Sequence, residues 1–273
     1  MAEPAKAART TNDPLPPPYA GLYESGFMKA ILLIGHGALN KASGASMIRH
    51  AALLKKGGVA EFATAGFLNF SRPTFAEAAQ RCADKGATHI VVQPYFLING
   101  YYVDSVLTRL VEEARAAHPT IRFTQMQPFG DHPALATLVI KRLHEAEAEL
   151  TPRENSALLL MAHGTPRPHA NEPIYAIAEQ VEAATSRPTR VAFMECNTPS
   201  IPGALAEQVA GGAERITALP YFLQSGGHVR EDLPQAVGAA QRAHPHTEIV
   251  LAGHLDYDEL LVDVIRARAL VEA

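Results

Sequence analysis

Two stretches of this sequence run side by side at a nearly constant offset. KAILLIGHGALN (29–40) aligns with ALLLMAHGTPRP (157–168), an apolar run ending in His-Gly each time, with His36 and His163 127 residues apart. AGFLNFSRPTF (65–75) aligns with AFMECNTPSI (192–201), and Pro73 and Pro199 stand 126 apart. GATHIVVQPYFLINGYYVDSVL (86–107) aligns with GAERITALPYFLQSGGHVREDLP (212–234), where Pro-Tyr-Phe-Leu is identical at 94–97 and 220–223. His118-Pro119 and His244-Pro245 close the series at 126. Landmarks in one order with a single-residue slip establish duplication of one ancestral unit. Whatever the chain folds into, one half-chain unit must adopt it twice.

Each copy alternates short apolar runs with stretches of helical spacing. The runs at 30–34, 61–65, 89–93 and 121–125, and at 157–161, 190–194, 215–219 and 247–251, read as buried strands. Thr74 with Glu77 forms a capping box, and Ser200 with Pro202 gives the matching helix start in the second copy. Further helices are expected over 103–117, 133–150, 171–185 and 231–243. Strand–helix alternation with short loops implies right-handed crossovers and a parallel sheet covered on both faces. The expected fold is α/β: two tandem doubly wound units, each with a parallel four-stranded sheet, and an active cleft between them. The expected divisions are a flexible Pro-rich extension over 1–27, a first repeat over 28–150 and a second over 151–273.

Composition removes several classes of function. The 24 Lys+Arg against 28 Asp+Glu give a formal charge of -4, so nothing calls for nucleic acid or an anionic membrane as partner. No apolar run approaches the roughly 18–20 residues that span a bilayer. Cys82 and Cys196 fall at non-corresponding places, which fits free thiols in a reducing cytoplasm. Gly35-His36-Gly37 lacks the third glycine of a dinucleotide fingerprint, and no ATP site is visible.

Ligands of open parallel sheets bind beyond the carboxyl ends of the strands. His163 follows the first strand of the second copy, Glu195 ends the second, and His228 follows the third, after Ser225-Gly226-Gly227. Two imidazoles and a carboxylate from three strand ends are a reasonable divalent-metal set with open coordination positions. The first copy keeps His36 but carries Asn69 for Glu195 and Tyr102 for His228. Asn and neutral Tyr are poor ligands and no bases near neutral pH. The complete His/Glu/His set therefore belongs to the second copy alone. His118 and His244 read as helix C-caps, Cys196 as pointing away from Glu195, and the paired Pro-Tyr-Phe-Leu segments as strand-end packing.

At these residues the chain resembles the sirohydrochlorin chelatases, class II tetrapyrrole chelatases with cobalt- and iron-inserting members. The resemblance rests on His163-Gly164, on Phe193, Glu195 and Pro199-Ser200, and on Pro220–Leu223 with Gly227-His228-Val229 and Glu231-Asp232-Leu233-Pro234. It extends over both halves and suits the long, two-domain form. It implies insertion of Co²⁺ or Fe²⁺ into sirohydrochlorin, leading to cobalamin or siroheme, with no organic cofactor. It makes His163 and His228 the metal-handling imidazoles and Glu195 a third metal-interacting or proton-accepting group. Arg167, Arg230, His36 and Tyr102 become candidates for substrate contact. The expected partners are sirohydrochlorin and a divalent metal ion, with the chain a monomer containing its own pseudo-dimer. Two other readings stay open: a chelatase for a different tetrapyrrole, and a non-catalytic metal or tetrapyrrole carrier. Long members tend to keep the ligand pair in the amino-terminal half, and this chain departs from that pattern.

Overall fold

The computed structural model of the chain describes residues 27–37 and 44–270. The extension expected over 1–27 lies outside them except for Phe27.

Eight strands form two separate four-stranded sheets. In the first half they are β1 (Lys29–Gly35), β2 (Phe62–Phe67), β3 (His89–Pro94) and β4 (Arg122–Gln125). In the second they are β5 (Ser156–Ala162), β6 (Thr189–Phe193), β7 (Arg215–Pro220) and β8 (Glu248–Leu251). The orders β2-β1-β3-β4 and β6-β5-β7-β8 are the same arrangement twice, and every pairing is parallel. The expected α/β architecture of two tandem parallel-sheet units is what the chain adopts. The runs read as strands are apolar at consecutive positions because both faces of each central strand are covered. In β1, Ile31 and Leu33 face one cluster while Ala30, Leu32 and Ile34 face another.

Among the described residues eight α-helices complete the units: α1 (Ala45–Lys56), α2 (Phe75–Asp84), α3 (Thr108–Ala117), α4 (Pro133–Glu147), α5 (Glu172–Thr185), α6 (Ile201–Ala210), α7 (Leu233–Ala243) and α8 (Leu260–Leu270). The capping box that opens α2 is formed in full by Thr74 and Glu77, and Ser200 accepts from Gly203 N at the start of α6. Each such cap stabilises its helix by about 1 kcal/mol. His118 and His244 are the C-cap residues of α3 and α7. Helices α2 and α3 cover the outer face of the first sheet, and α6 and α7 that of the second. The inner faces of both sheets share one core with α1, α4, α5 and α8. This gives five layers, with the sheets second and fourth.

The last helix of each repeat packs on the sheet of the other. α4 lies against β7 and α5, while α8 lies against α1 and β3. Arg142 of α4 donates from Nη2 to the Leu255 carbonyl at 2.8 Å, gripping the loop after β8. Arg268 of α8, 126 positions on, donates to the Phe129 carbonyl at 3.2 Å in the loop after β4. Glu147 at the end of α4 pairs with Arg187 at 2.6 Å, and Lys29 of β1 donates to the Ala269 carbonyl at 2.7 Å. The sequence repeat and the packing unit are therefore offset by one helix.

Two expected boundaries shift. β6 ends at Phe193, so Glu195 stands in the following loop rather than finishing the strand. The helices expected from Val103 and Glu231 begin earlier, with π-helical turns over Tyr102–Leu107 and His228–Asp232. His228 thus sits on the first turn of a helix rather than in the loop before it. The Gly-rich turn ahead of it had suggested a longer loop.

Candidate functional site

The His-Gly step after β1 and β5 has a local explanation. Gly37 and Gly164 hold φ of +85° and +92°, a region costly for any residue with a Cβ. A Cβ at Gly37 would strike the Asn69 carbonyl oxygen, and one at Gly164 the Glu195 carbonyl oxygen. The loop after the second strand of each half presses onto the glycine, and its amide closes the contact: Glu195 N donates to His163 O at 3.0 Å, and Asn69 N to His36 O at 2.9 Å. The residue after each of these, Cys196 and Phe70, takes a left-handed φ of 63° and 56°. Beyond it, Thr198-Pro199 and Arg72-Pro73 are both cis. The two copies thus hold one loop backbone while their side chains differ.

On this frame the second half brings two imidazoles together. The rings of His163 and His228 meet edge to face with centroids 5.1 Å apart. His163 Nδ1 lies 3.2 Å from Gly164 O, and a carbonyl only accepts, so Nδ1 carries the proton. His228 Nδ1 lies 2.6 Å from Asp232 Oδ2, four residues on along the helical turn, and donates to that carboxylate. With Nδ1 engaged in this way, the neutral form of each ring has its lone pair on Nε2, the form in which imidazole binds a metal or takes a proton. A carboxylate behind the ring is the arrangement that orients metal-binding histidines. His163 is exposed and His228 partly so, which leaves both within reach of a ligand from outside.

The first half repeats the geometry with a different outcome. His36 and Tyr102 meet edge to face at 4.4 Å, and His36 Nδ1 donates to Gly37 O at 2.9 Å. A phenol stands where the second imidazole would be. Phe70 packs 6.0 Å from His36, and Tyr101 5.6 Å from Tyr102.

Glu195 is joined to the pair through its backbone alone. Its side chain is exposed, and among the described residues no three His, Cys, Asp or Glu side chains are grouped to hold a metal. The expected three-donor set is thus a close histidine pair with an outlying carboxylate. Cys196 is exposed and free. Arg167 pairs with Asp104 of the first half at 2.7 Å, and Arg230 is exposed beside His228. The Arg167–Asp104 bridge links the loop after β5 to the turn that carries Tyr102. Gln224, after β7, lies 3.7 Å from where a Cβ on Gly35 would stand. The carboxyl ends of the two sheets therefore open toward one another.

Three features escaped the sequence reading. Asp232 as partner of His228 had a signal, the i, i+4 spacing of a helix, but the helix was expected to start too late for it. Asp104 had none, since its partner lies in the other half. A third group lies on the first-half side of the shared core. There His50 is buried, with Nε2 2.9 Å from the Asp258 carbonyl and Nδ1 3.0 Å from the Tyr95 hydroxyl. Nε2–H donates and Nδ1 accepts, which is the neutral ring, and burial pushes its pKa down to about 4. Tyr257 stacks on it at 4.8 Å.

A groove of ≈ 730 Å³ lies at the opposite end of the second sheet, lined by Asn155, Ser156 and Arg187 at the starts of β5 and β6 and by Gln208 of α6. It touches none of His163, Glu195 and His228. The strand-end position of the histidines, and not the size of a hollow, marks the site. No helix among the described residues is long and apolar enough to cross a membrane.

A family model described as CbiX matches residues 30–146 and again 157–271, once per half. A sirohydrochlorin cobaltochelatase of Priestia megaterium is 27% identical over 252 residues, covering 89% of this chain and 79% of that protein. A sirohydrochlorin ferrochelatase of the same organism is 21% identical, covering 89% of this chain and 90% of that protein. The crystal structure of the sirohydrochlorin chelatase SirB from Bacillus subtilis subspecies spizizenii, in complex with cobalt, superposes with a TM-score of 0.75 at 19% identity, over 89% of this chain and 94% of that one. That likeness is one of fold.

Proposed function

The chain belongs to the CbiX family, and from that premise we propose that it is a sirohydrochlorin chelatase, inserting Co²⁺ or Fe²⁺ into the tetrapyrrole from a site in its second half. The relatives it matches across most of their length carry both metal names, so either pathway, cobalamin or siroheme, is open to it. The observation that carries the placement is the His163–His228 pair, 5.1 Å between ring centroids, set against His36–Tyr102 in the first half.

Insertion requires two pyrrole N–H protons to leave while the ion sheds water. Two imidazoles that turn Nε2 outward suit both tasks, since imidazole is the side chain best matched to accept a proton near neutral pH. A pair of donors holds the ion loosely enough to surrender it to the four nitrogens of the macrocycle. Glu195, exposed beside His163, supplies a third oxygen donor or proton acceptor once its side chain turns toward the ion. Arg230 and Arg167 meet the peripheral carboxylates of the substrate, with Arg167 exchanging Asp104 for one of them. No organic cofactor takes part, and the second repeat over 151–273 supplies the chemistry while the first, over 28–150, supplies the facing wall. The chain works as a monomer whose halves make the pseudo-dimer, in the cytoplasm.

The test is the initial rate of metallo-sirohydrochlorin formation by absorbance, with Co²⁺, Fe²⁺ and Ni²⁺ in turn, against a porphyrin control. Accelerated insertion into sirohydrochlorin and not the porphyrin is expected. Tight binding of the tetrapyrrole with no acceleration by any metal would make the protein a carrier, and preference for the porphyrin would make it a chelatase of another substrate.

A further inference from the structure

Where the first half lacks donors it displays aromatic rings. Phe70, Tyr101 and Tyr102 occupy the positions of Cys196, Gly227 and His228. Phe70 is 68% exposed, Tyr101 61% and Tyr102 38%. Phe70 and Tyr101 project from the core, and Phe70 stands at a left-handed φ that a bulky residue adopts only at a cost. Folding does not explain them. With His36 between Phe70 and Tyr102, the rings follow one another tilted or edge to face, 6.0 Å and 42° from Phe70 to His36, 4.4 Å and 88° to Tyr102, then 5.6 Å and 70° to Tyr101, so the row presents ring edges as well as faces. The row belongs to the opening between the halves. Asp104, two residues past Tyr102, pairs with Arg167, four residues past His163. Gln224 of the second half reaches Gly35, next to His36.

We propose that this row is a stacking face for a flat, conjugated macrocycle, so that the first half holds the ring of the substrate while the second half presents the imidazoles. The inference rests on the chelatase reading and names what the first half does in it. A row of aromatic rings offers a flat macrocycle offset and edge contacts of the kind π systems favour. Asn69 and Tyr102 compete poorly for the ion, so the row binds the organic substrate without diverting the metal. Exchanging Glu195-Cys196 and Gly227-His228 for Asn69-Phe70 and Tyr101-Tyr102 converts a metal-handling wall into a ring-binding one on an unchanged loop backbone. The occupant is the macrocycle rather than a second copy of the chain, because the Asp104–Arg167 bridge ties the turn that carries Tyr102 to the loop that carries His163.

The experiment uses the full chain with Phe70→Ala, Tyr101→Ala and both together. Equilibrium binding of metal-free sirohydrochlorin is followed by quenching of tyrosine fluorescence, unobscured because the chain contains no Trp. KM for the tetrapyrrole and KM for the metal are measured separately. The double variant is expected to weaken tetrapyrrole binding and raise its KM by about tenfold or more, with the metal KM within about twofold. Phe70→Tyr restores the affinity that alanine loses. Unchanged tetrapyrrole affinity in the double variant overturns the stacking face, whatever the chelatase rate of the wild type. So does a dimeric wild type that the double variant converts to a monomer in sedimentation with no change in tetrapyrrole affinity, which would make the row a contact between copies. If the row binds the macrocycle but the wild type accelerates no insertion, the stacking face stands and the chelatase reading falls.

Discussion

His228 Nδ1 and Asp232 Oδ2 lie 2.6 Å apart on one helical turn, and that contact leaves Nε2 of His228 as the atom offered to a metal. Replacing Asp232 by Asn keeps the size and removes the obligatory acceptor, so the imidazole is free to flip or change tautomer. Loss of such an orienting carboxylate typically costs 10- to 100-fold in metal affinity or activity. Asp232→Asn is expected to raise KM for the metal by roughly tenfold and leave KM for the tetrapyrrole unmoved. Equal changes in both would mean that Asp232 supports the loop and not the ring.

Gly164 and Gly37 are each pressed by a carbonyl of the neighbouring loop. Gly164→Ala is expected to lower stability by about 1–3 kcal/mol through strain at positive φ and displacement of the loop at Glu195. Gly37→Ala does the same at Asn69. Thermal unfolding checks both, and wild-type melting of Gly164→Ala would contradict the contact with Glu195 O.

The exchange of α4 and α8 makes each half depend on the other. Residues 151–273 alone lack α4, and β7 with its neighbours would present apolar surface to water. The isolated second half is expected to aggregate or to unfold without a cooperative transition in urea. Co-expressed with residues 28–150 it is expected to elute as a single complex. A monomeric, cooperatively folding second half would contradict the exchange.

Stability is expected to fall between pH 6.5 and 4. His50 is held neutral in the fold with its pKa pushed down to about 4 by burial, while the unfolded chain keeps the ordinary value near 6.5. Above pH 6.5 neither state binds the proton. Below it the unfolded state gains one that the folded state refuses, so stability is lost as pH falls toward 4. The loss amounts to about 3 kcal/mol at most for this residue. His89, likewise pushed down to about 4 by burial, adds in the same direction. Urea midpoints of the wild type and His50→Gln across this range provide the check, with a flatter curve expected for the variant.

Much of this was legible before the structure. The strands announced themselves because covered β1 and β5 must be apolar on both faces, and the offset of 126 made each half a check on the other. The pairing of His163 with His228 followed from strand-end positions alone. The helix exchange was not legible: two near-identical sheets offer α4 equivalent surfaces, and tertiary contacts such as those of Arg142 and Arg268 distinguish them. Nor was the place of Glu195, which the early end of β6 at Phe193 carries into a loop. The aromatic row was hidden for another reason. No motif singles out Phe70 and Tyr101 in the sequence, and only their exposure in the fold does.

The most direct measurement compares initial rates of Co²⁺-sirohydrochlorin formation for His163→Ala, His228→Ala and His36→Ala. If the second half does the chemistry, the first two lose insertion and His36→Ala keeps most of it. An inactive His36→Ala beside an active His228→Ala would put the site in the first half and contradict the placement.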